Sequence, residues 1–148
     1  EYKFVTGAKY VNWKSIDSYD FEGEYIFIGV GGNGDSVPVK YYNGKFKFSN
    51  LMGKLIINDK YKDRVNVKYF YNMLLKNQSY IEENMQKGSS NRTLQDNRLN
   101  SMYLTIPPME EQILFVENIR KFDEEIKNFE LKLKTVHDNQ RKFIDDYF

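Results

Sequence analysis

The last forty residues decide most of what this chain can become. From Met109 to Phe148 there is neither Gly nor Pro. With Ile119 as position a of a heptad, the a and d positions are Phe115, Ile119, Phe122, Ile126, Phe129, Leu133, Val136, Gln140, Phe143 and Tyr147. All but Gln140 are apolar or aromatic, a sustained 3.5-residue repeat that makes a coiled-coil seam. The flanking positions are mostly charged, among them Arg120, Lys121, Glu124, Lys127, Glu130 and Lys134. Pro107 and Pro108 stand where a first helical turn tolerates proline, and Glu110 and Glu111 suit the positive end of the helix dipole. The predicted helix is a rod of roughly 60 Å. The preceding 108 residues are too few to cover both of its ends. The seam is therefore expected to take a partner helix, from a second copy or from a missing half of the same protein. The plainer alternative is an amphipathic helix lying on its own domain.

Splitting the chain at this helix makes the charge informative. Residues 109–148 hold 7 basic and 10 acidic side chains, whereas residues 1–108 hold 15 and 11. The rod is thus mildly acidic and the rest mildly basic, which is compatible with a nucleic-acid surface on the latter. Cysteine is absent, which excludes a disulfide scaffold and a thiolate metal site. No apolar run approaches the roughly 18 residues that a membrane span needs. The first residue is Glu1 rather than Met, and we expect further sequence before it.

Residues 1–24 suggest one or two short strands and a loop at 15–24, with Trp13 in the core. Glu24-Tyr25-Ile26-Phe27-Ile28 reads as a buried strand. It runs into Gly29-Val30-Gly31-Gly32-Asn33-Gly34, which matches the G-x-G-x-x-G string of dinucleotide-binding folds. That fingerprint requires a helix directly after the glycines. Here Asp35-Ser36-Val37-Pro38-Val39 follows, so we read a turn and expect no dinucleotide. Asn43-Gly44 between alternating runs predicts a type I′ hairpin over 37–49. Such a hairpin puts Tyr41 opposite Phe46 and Val39 opposite Phe48 on a buried face. Lys40, Tyr42, Lys45 and Lys47 then share the other face, with Lys40 opposite Lys47 and no acid beside them. Another strand is expected at 53–57. Asn66 is the predicted cap of a helix whose apolar face is Val67, Phe70, Tyr71, Leu74 and Leu75, broken near 77–79 and ending at Met85. A polar loop at 86–92 precedes a capping-box-like Thr93-Leu94-Gln95-Asp96, a short helix, and a closing strand at 102–106.

Little in the chain can carry covalent chemistry. The single histidine, His137, sits on the rod without metal-ligand or triad neighbours, and carboxylates occur singly or on the rod. There is no P-loop and no Asn-Pro-Pro-Tyr/Phe signature of an adenine methyltransferase. We therefore expect no active site and no cofactor. What remains is a binding surface. Arg and Lys pair with guanine and Asn and Gln with adenine in the major groove, while Lys, Ser and Thr hold phosphates. The loop containing Lys87, Ser89, Ser90, Asn91 and Arg92 offers these types together.

The stretch Ile106-Pro107-Pro108-Met109-Glu110-Glu111-Gln112 resembles the Ile-Pro-x-Pro-Leu-x-Glu-Gln signature of type I restriction-modification specificity subunits, except that the two prolines here are adjacent. Asp123-Glu124-Glu125-Ile126 and the aromatic finish at 143–148 are similar to the long helix of that family, and the Gly-containing loop and the polar loop fall at similar points. The resemblance implies an α+β protein: a small mixed β-sheet recognition domain with short helices over 1–107, then a long C-terminal coiled-coil helix, the spacer, over 108–148. It implies sequence-specific recognition of one half of a bipartite site on double-stranded DNA. A second recognition domain, or a homodimer through the helix, would read the other half. Methylation would fall to a methyltransferase subunit docked on the helix and cleavage to a restriction/translocase subunit, all in a prokaryotic cytoplasm with no membrane contact. The expected DNA-binding residues are Lys40, Tyr42, Lys45, Lys47, Lys87, Ser89, Ser90, Asn91 and Arg92. The alternative is a coiled-coil oligomerisation protein with a protein-binding globular head. A small enzyme built on the Gly-rich loop is a third reading, and salt-dependent DNA binding separates the first from both.

Overall fold

The computed structural model describes residues 2–7, 13–15, 17–32, 36–88 and 92–147, with backbone only at 13–15 and at Arg92. The chain begins with β1 (Tyr2–Val5), β2 (Trp13–Ser15), β3 (Phe21–Gly29), β4 (Gly31–Gly32), β5 (Val39–Phe48) and β6 (Met52–Leu55). A short 3-10 helix, Asp59–Arg64, leads to α1 (Val67–Lys76) and α2 (Gln78–Asn84). Then come β7 (Gln86–Lys87), β8 (Arg92–Leu94), α3 (Asp96–Leu99) and α4 (Met109–Tyr147). The main sheet is mixed, in the order β2-β1-β5-β3-β6, with β1 parallel to β5 and the other pairs antiparallel. The order β4-β8-β7 makes a second, small sheet.

The centre of the main sheet is buried on both faces. From Tyr25 to Ile28 β3 alternates aromatic and β-branched residues, and its last four positions, Ile26 to Gly29, are all buried. Such a run suits a central strand, where both faces are covered. On one face Ile26, Ile28 and Val39 pack with Leu74 of α1 and with Ile81 and Met85 at α2. On the other, Val5, Phe27, Phe46 and Met52 form a second core with Phe21, Tyr25, Tyr42 and Phe48 around it. Asn66 caps α1 as predicted, its side chain accepting from the Lys68 and Tyr69 N–H groups. The predicted break falls at Asn77, whose side-chain amide donates to the Met73 carbonyl at 2.8 Å. A side chain bonding back to the preceding turn competes with continuation of the helix.

Three local expectations are overturned. The Asn43-Gly44 dipeptide is not a hairpin turn: β5 runs straight through it, paired with β3 from Phe21↔Phe46 to Ile28↔Val39. Gly44 lies opposite Gly23, at φ 139° and 136°, values that glycine tolerates and other residues rarely do. Each is covered by a tyrosine of its own strand. A Cβ at Gly23 would sit 3.1 Å from the Tyr25 ring, and one at Gly44 would sit 3.1 Å from the Tyr42 hydroxyl. The chain reverses earlier, between β3 and β5, so Val39 faces Ile28 rather than Phe48, and Tyr41 faces Ile26 rather than Phe46. Thr93 is no helix cap either. It pairs in β8 with Gly31 and Lys87, and Gln95 takes the cap position without a side-chain bond. Finally, 102–106 joins no sheet. It is held to α1 through the Tyr69 hydroxyl, which donates to the Thr105 carbonyl at 3.3 Å. Trp13 lies in β2, but its side chain is outside the described residues.

α4 is one uninterrupted helix of 39 residues, about 58 Å long at the usual rise. Its root packs on the domain: Phe115 meets Tyr69 edge-on with ring centroids 5.4 Å apart. Burial, and then the charge of Asp123, raises the Tyr71 pKa. Beyond Phe115 and the half-buried Ile119 the seam stands in the open, from 55% exposed at Ile126 to 72% at Tyr147.

Candidate nucleic-acid interface

The register of β1, β3, β5 and β6 sorts the surface lysines by face. Lys3, Lys40 and Lys54 share the aromatic face with Phe21, Tyr25, Phe27, Tyr42 and Phe46. The Lys54 ammonium stands 4.1 Å from the ring centroid of Phe21 and 4.5 Å from that of Tyr25, and Lys3 stands 4.9 Å from that of Tyr42. Such contacts attract a cation to the ring face. Burial lowers the Lys40 pKa from its ordinary value, and the neighbouring Lys3 lowers it further.

Lys45 and Lys47 are on the opposite face, so the expectation of one surface carrying Lys40, Tyr42, Lys45 and Lys47 does not hold. Because β5 passes through Gly44 without turning, residues five apart point opposite ways, and Lys40 pairs with Phe27 rather than Lys47. The expected absence of acids fails too. Lys45 is the register partner of Glu22 and lies over the Tyr19 ring at 4.8 Å. A hydrogen bond to Tyr19 and then the Glu22 charge raise its pKa. Lys47 donates to Ser18 Oγ at 2.6 Å and is 3.7 Å from Asp20. On this same face the Tyr41 hydroxyl donates to Glu24, and burial, followed by that bond and charge, pushes its pKa up.

The polar loop and the glycine string, read separately in the sequence, come together in the small sheet. Gly32 pairs with Arg92, and Thr93 lies between Gly31 and Lys87. Lys87 is exposed; Ser89, Ser90, Asn91 and the Arg92 side chain are outside the described residues. Arg98, which sequence reasoning passed over, donates to the carbonyls of Asn84 at 3.0 Å and Gln86 at 3.5 Å, bracing the entry to β7.

Gln112 was also passed over, and it joins the two parts of the molecule. Its side chain is fully buried. Its oxygen accepts from the Asn66 N–H at 2.8 Å, and its amide donates to the carbonyls of Arg64 at 2.8 Å and Pro107 at 2.7 Å. One glutamine thus ties the first turn of α4 to the cap of α1, the end of the 3-10 helix and the proline pair. The only hint in the sequence is its place at the end of the Ile-Pro-Pro-Met-Glu-Glu-Gln run.

A cleft of about 470 Å³ lies between β6, α1 and the segment 99–106. Leu55, Ile56, Phe70, Leu104 and Ile106 dominate its lining, which offers no acid–base pair. Among the described residues no group of His, Asp or Glu could hold a metal ion, and no helix is long and apolar enough to cross a membrane.

A mixed-sheet domain fixed by its last turn to a long helix with an open seam, and with cationic side chains set over aromatic rings, is the build of a binding module. Residues 1–135 match the family described as type I restriction modification DNA specificity domain, and the chain belongs to that family. It also shares its fold with the S subunit of the type I restriction-modification system from M. genitalium, at a TM-score of 0.68 and 21% identity. That match covers 86% of this chain and 33% of the other, so the chain spans about a third of that subunit. No curated protein matches it significantly.

Proposed function

We propose that this chain is one target recognition domain (1–107) with its spacer helix (108–148), and that it reads one half of a bipartite DNA site. The observation that carries the reading is the joint between head and rod. Gln112 makes three hydrogen bonds across it, while the seam beyond stays uncovered. A domain held at a fixed attitude on a rod that needs a partner suits a reader whose two halves must be spaced and oriented. The second half is another recognition domain of the same subunit or a second copy of this chain. A methyltransferase subunit docks on the helices and methylates adenine with S-adenosylmethionine, taking the base out of the stack. A restriction/translocase subunit cuts, and this chain supplies sequence choice without catalysis, in the cytoplasm.

In this reading the loop at 87–92 reaches base edges, with Arg92, Asn91, Ser89 and Ser90 as readers beside Lys87. Tyr42 and Lys40, on the aromatic face, contribute backbone contacts, while Lys45 and Lys47 lie on the other face beside Glu22 and Asp20. Selection of bound sequences from random duplexes tests it. One half-site should be enriched, and Arg92→Ala should relax a single base pair by about 1–3 kcal/mol. Recovery of no preferred sequence by the intact subunit sinks the reading.

A further inference from the structure

We infer that the aromatic face of the main sheet is where this domain grips the DNA backbone, through Lys3 and Lys54. The inference rests on the DNA reading above and adds a location to it. The two faces of one sheet treat their lysines differently. On the helix-bearing face Lys45 is paired across the strands with Glu22, and Lys47 is close to Asp20. Each of those lysines already has a carboxylate beside it before any ligand arrives. On the aromatic face the described positions of β1, β3, β5 and β6 are Lys3, Val5, Phe21, Gly23, Tyr25, Phe27, Gly29, Lys40, Tyr42, Gly44, Phe46, Phe48, Met52 and Lys54, with no Asp or Glu among them. Lys14 is moreover the register partner of Lys3.

Among the described residues, what holds Lys3 and Lys54 in place is a ring rather than a carboxylate. A ring fixes an ammonium by its quadrupole and leaves the formal charge intact. The result is a preset cation whose field is not annulled, which a polyanion can use. Like charges gathered on one surface repel each other: burial first, and then the charge of Lys3, lowers the Lys40 pKa. Phosphates laid across the face relieve that repulsion and release their own counterions. The rings beneath, Phe21, Tyr25 and Tyr42, are only partly buried, so the floor is within reach of a ligand. Lysine contacts of this kind carry no base preference. The face accordingly governs affinity, while sequence choice belongs elsewhere.

The test is equilibrium binding of the full chain to a duplex carrying its selected half-site and to a random duplex, across a salt series. Lys3→Gln and Lys54→Gln should each weaken both duplexes by the same factor and reduce the salt slope by about one unit. Lys54→Arg should keep the slope, which separates lost charge from lost folding. Lys45→Gln, on the other face, should leave it unchanged. Unchanged slopes for both Lys3→Gln and Lys54→Gln overturn this inference and leave the DNA reading standing. Variants that lose assembly with the methyltransferase subunit while keeping the DNA slope also overturn it, because the face is then a protein contact. If the unaltered chain binds no duplex at any salt, the DNA reading falls and takes this inference with it.

Discussion

Phe46 and Phe129 are the same side chain in opposite circumstances. Phe46 is fully buried, ringed by Phe21, Tyr25, Phe27, Tyr42 and Phe48 at centroid distances of 5.1 to 6.4 Å. Phe129 is 66% exposed on a bare helix. The head buries the apolar residues of its central strands within itself, and the rod leaves its seam beyond Ile119 uncovered. Isolated helices owe their stability in proteins mainly to a packed face, so the rod is the part whose order depends on company. The contrast teaches that apolar residues in one chain need not all serve its own core: those of the head fold it, and those of the rod remain open.

The largest effect should come from charging the seam. The double variant Ile126→Asp, Leu133→Asp puts two carboxylates where pairing would bury them. Sedimentation should show complete loss of an association that the unaltered chain displays. If the unaltered chain is strictly monomeric at high concentration, self-pairing is wrong and the seam belongs to a missing helix or to the methyltransferase subunit. Next, Phe46→Ala should cost the head about 3–5 kcal/mol in a denaturant melt, whereas Phe129→Ala should leave the head's transition in place. Equal losses would erase the distinction. Gln112→Ala removes one residue but leaves the Asn66 N–H and the carbonyls of Arg64 and Pro107 without their partner. A loss of about 1–3 kcal/mol is expected, and no loss would mean that water replaces the glutamine freely. Smallest is Asn66→Ala, at about 1 kcal/mol for the lost cap. It should weaken α1 without touching association of the rod.

The rod was legible because a heptad repeat is a one-dimensional signal, and nothing in the head competes with it. The cap at Asn66 and the break at Asn77 were legible for the same reason, since each acts within four residues. The reading failed where pairing decided the outcome. Asn43-Gly44 carries the local chemistry of a tight turn, yet Gly23, twenty-one positions earlier, offers a matching glycine across the strand. The longer β3–β5 ladder buries Ile28 with Val39 and prevails. That one shift of register moved Lys45 and Lys47 to the other face and brought Glu22 and Asp20 to them. Lys54 and Lys3 were invisible as partners of Phe21, Tyr25 and Tyr42 because those contacts cross strands far apart in sequence. Gln112 read as an ordinary helix residue, since only the folded joint brings Arg64, Asn66 and Pro107 within its reach.

That joint has a mechanical side. From Gln112 to Tyr147 the helix extends roughly 50 Å at the usual rise, whereas the tie at its root is a single side chain. The arrangement is a lever with a short fulcrum. A sideways load at the far tip is multiplied at the root, where it bears on the cap of α1 and the proline pair. The contact of Phe115 with Tyr69 acts as a second support along the shaft and turns a pivot into a clamp. A load on the tip would thereby bear on α1, whose Leu74 packs with Ile26, Ile28 and Val39, at the centre of the sheet.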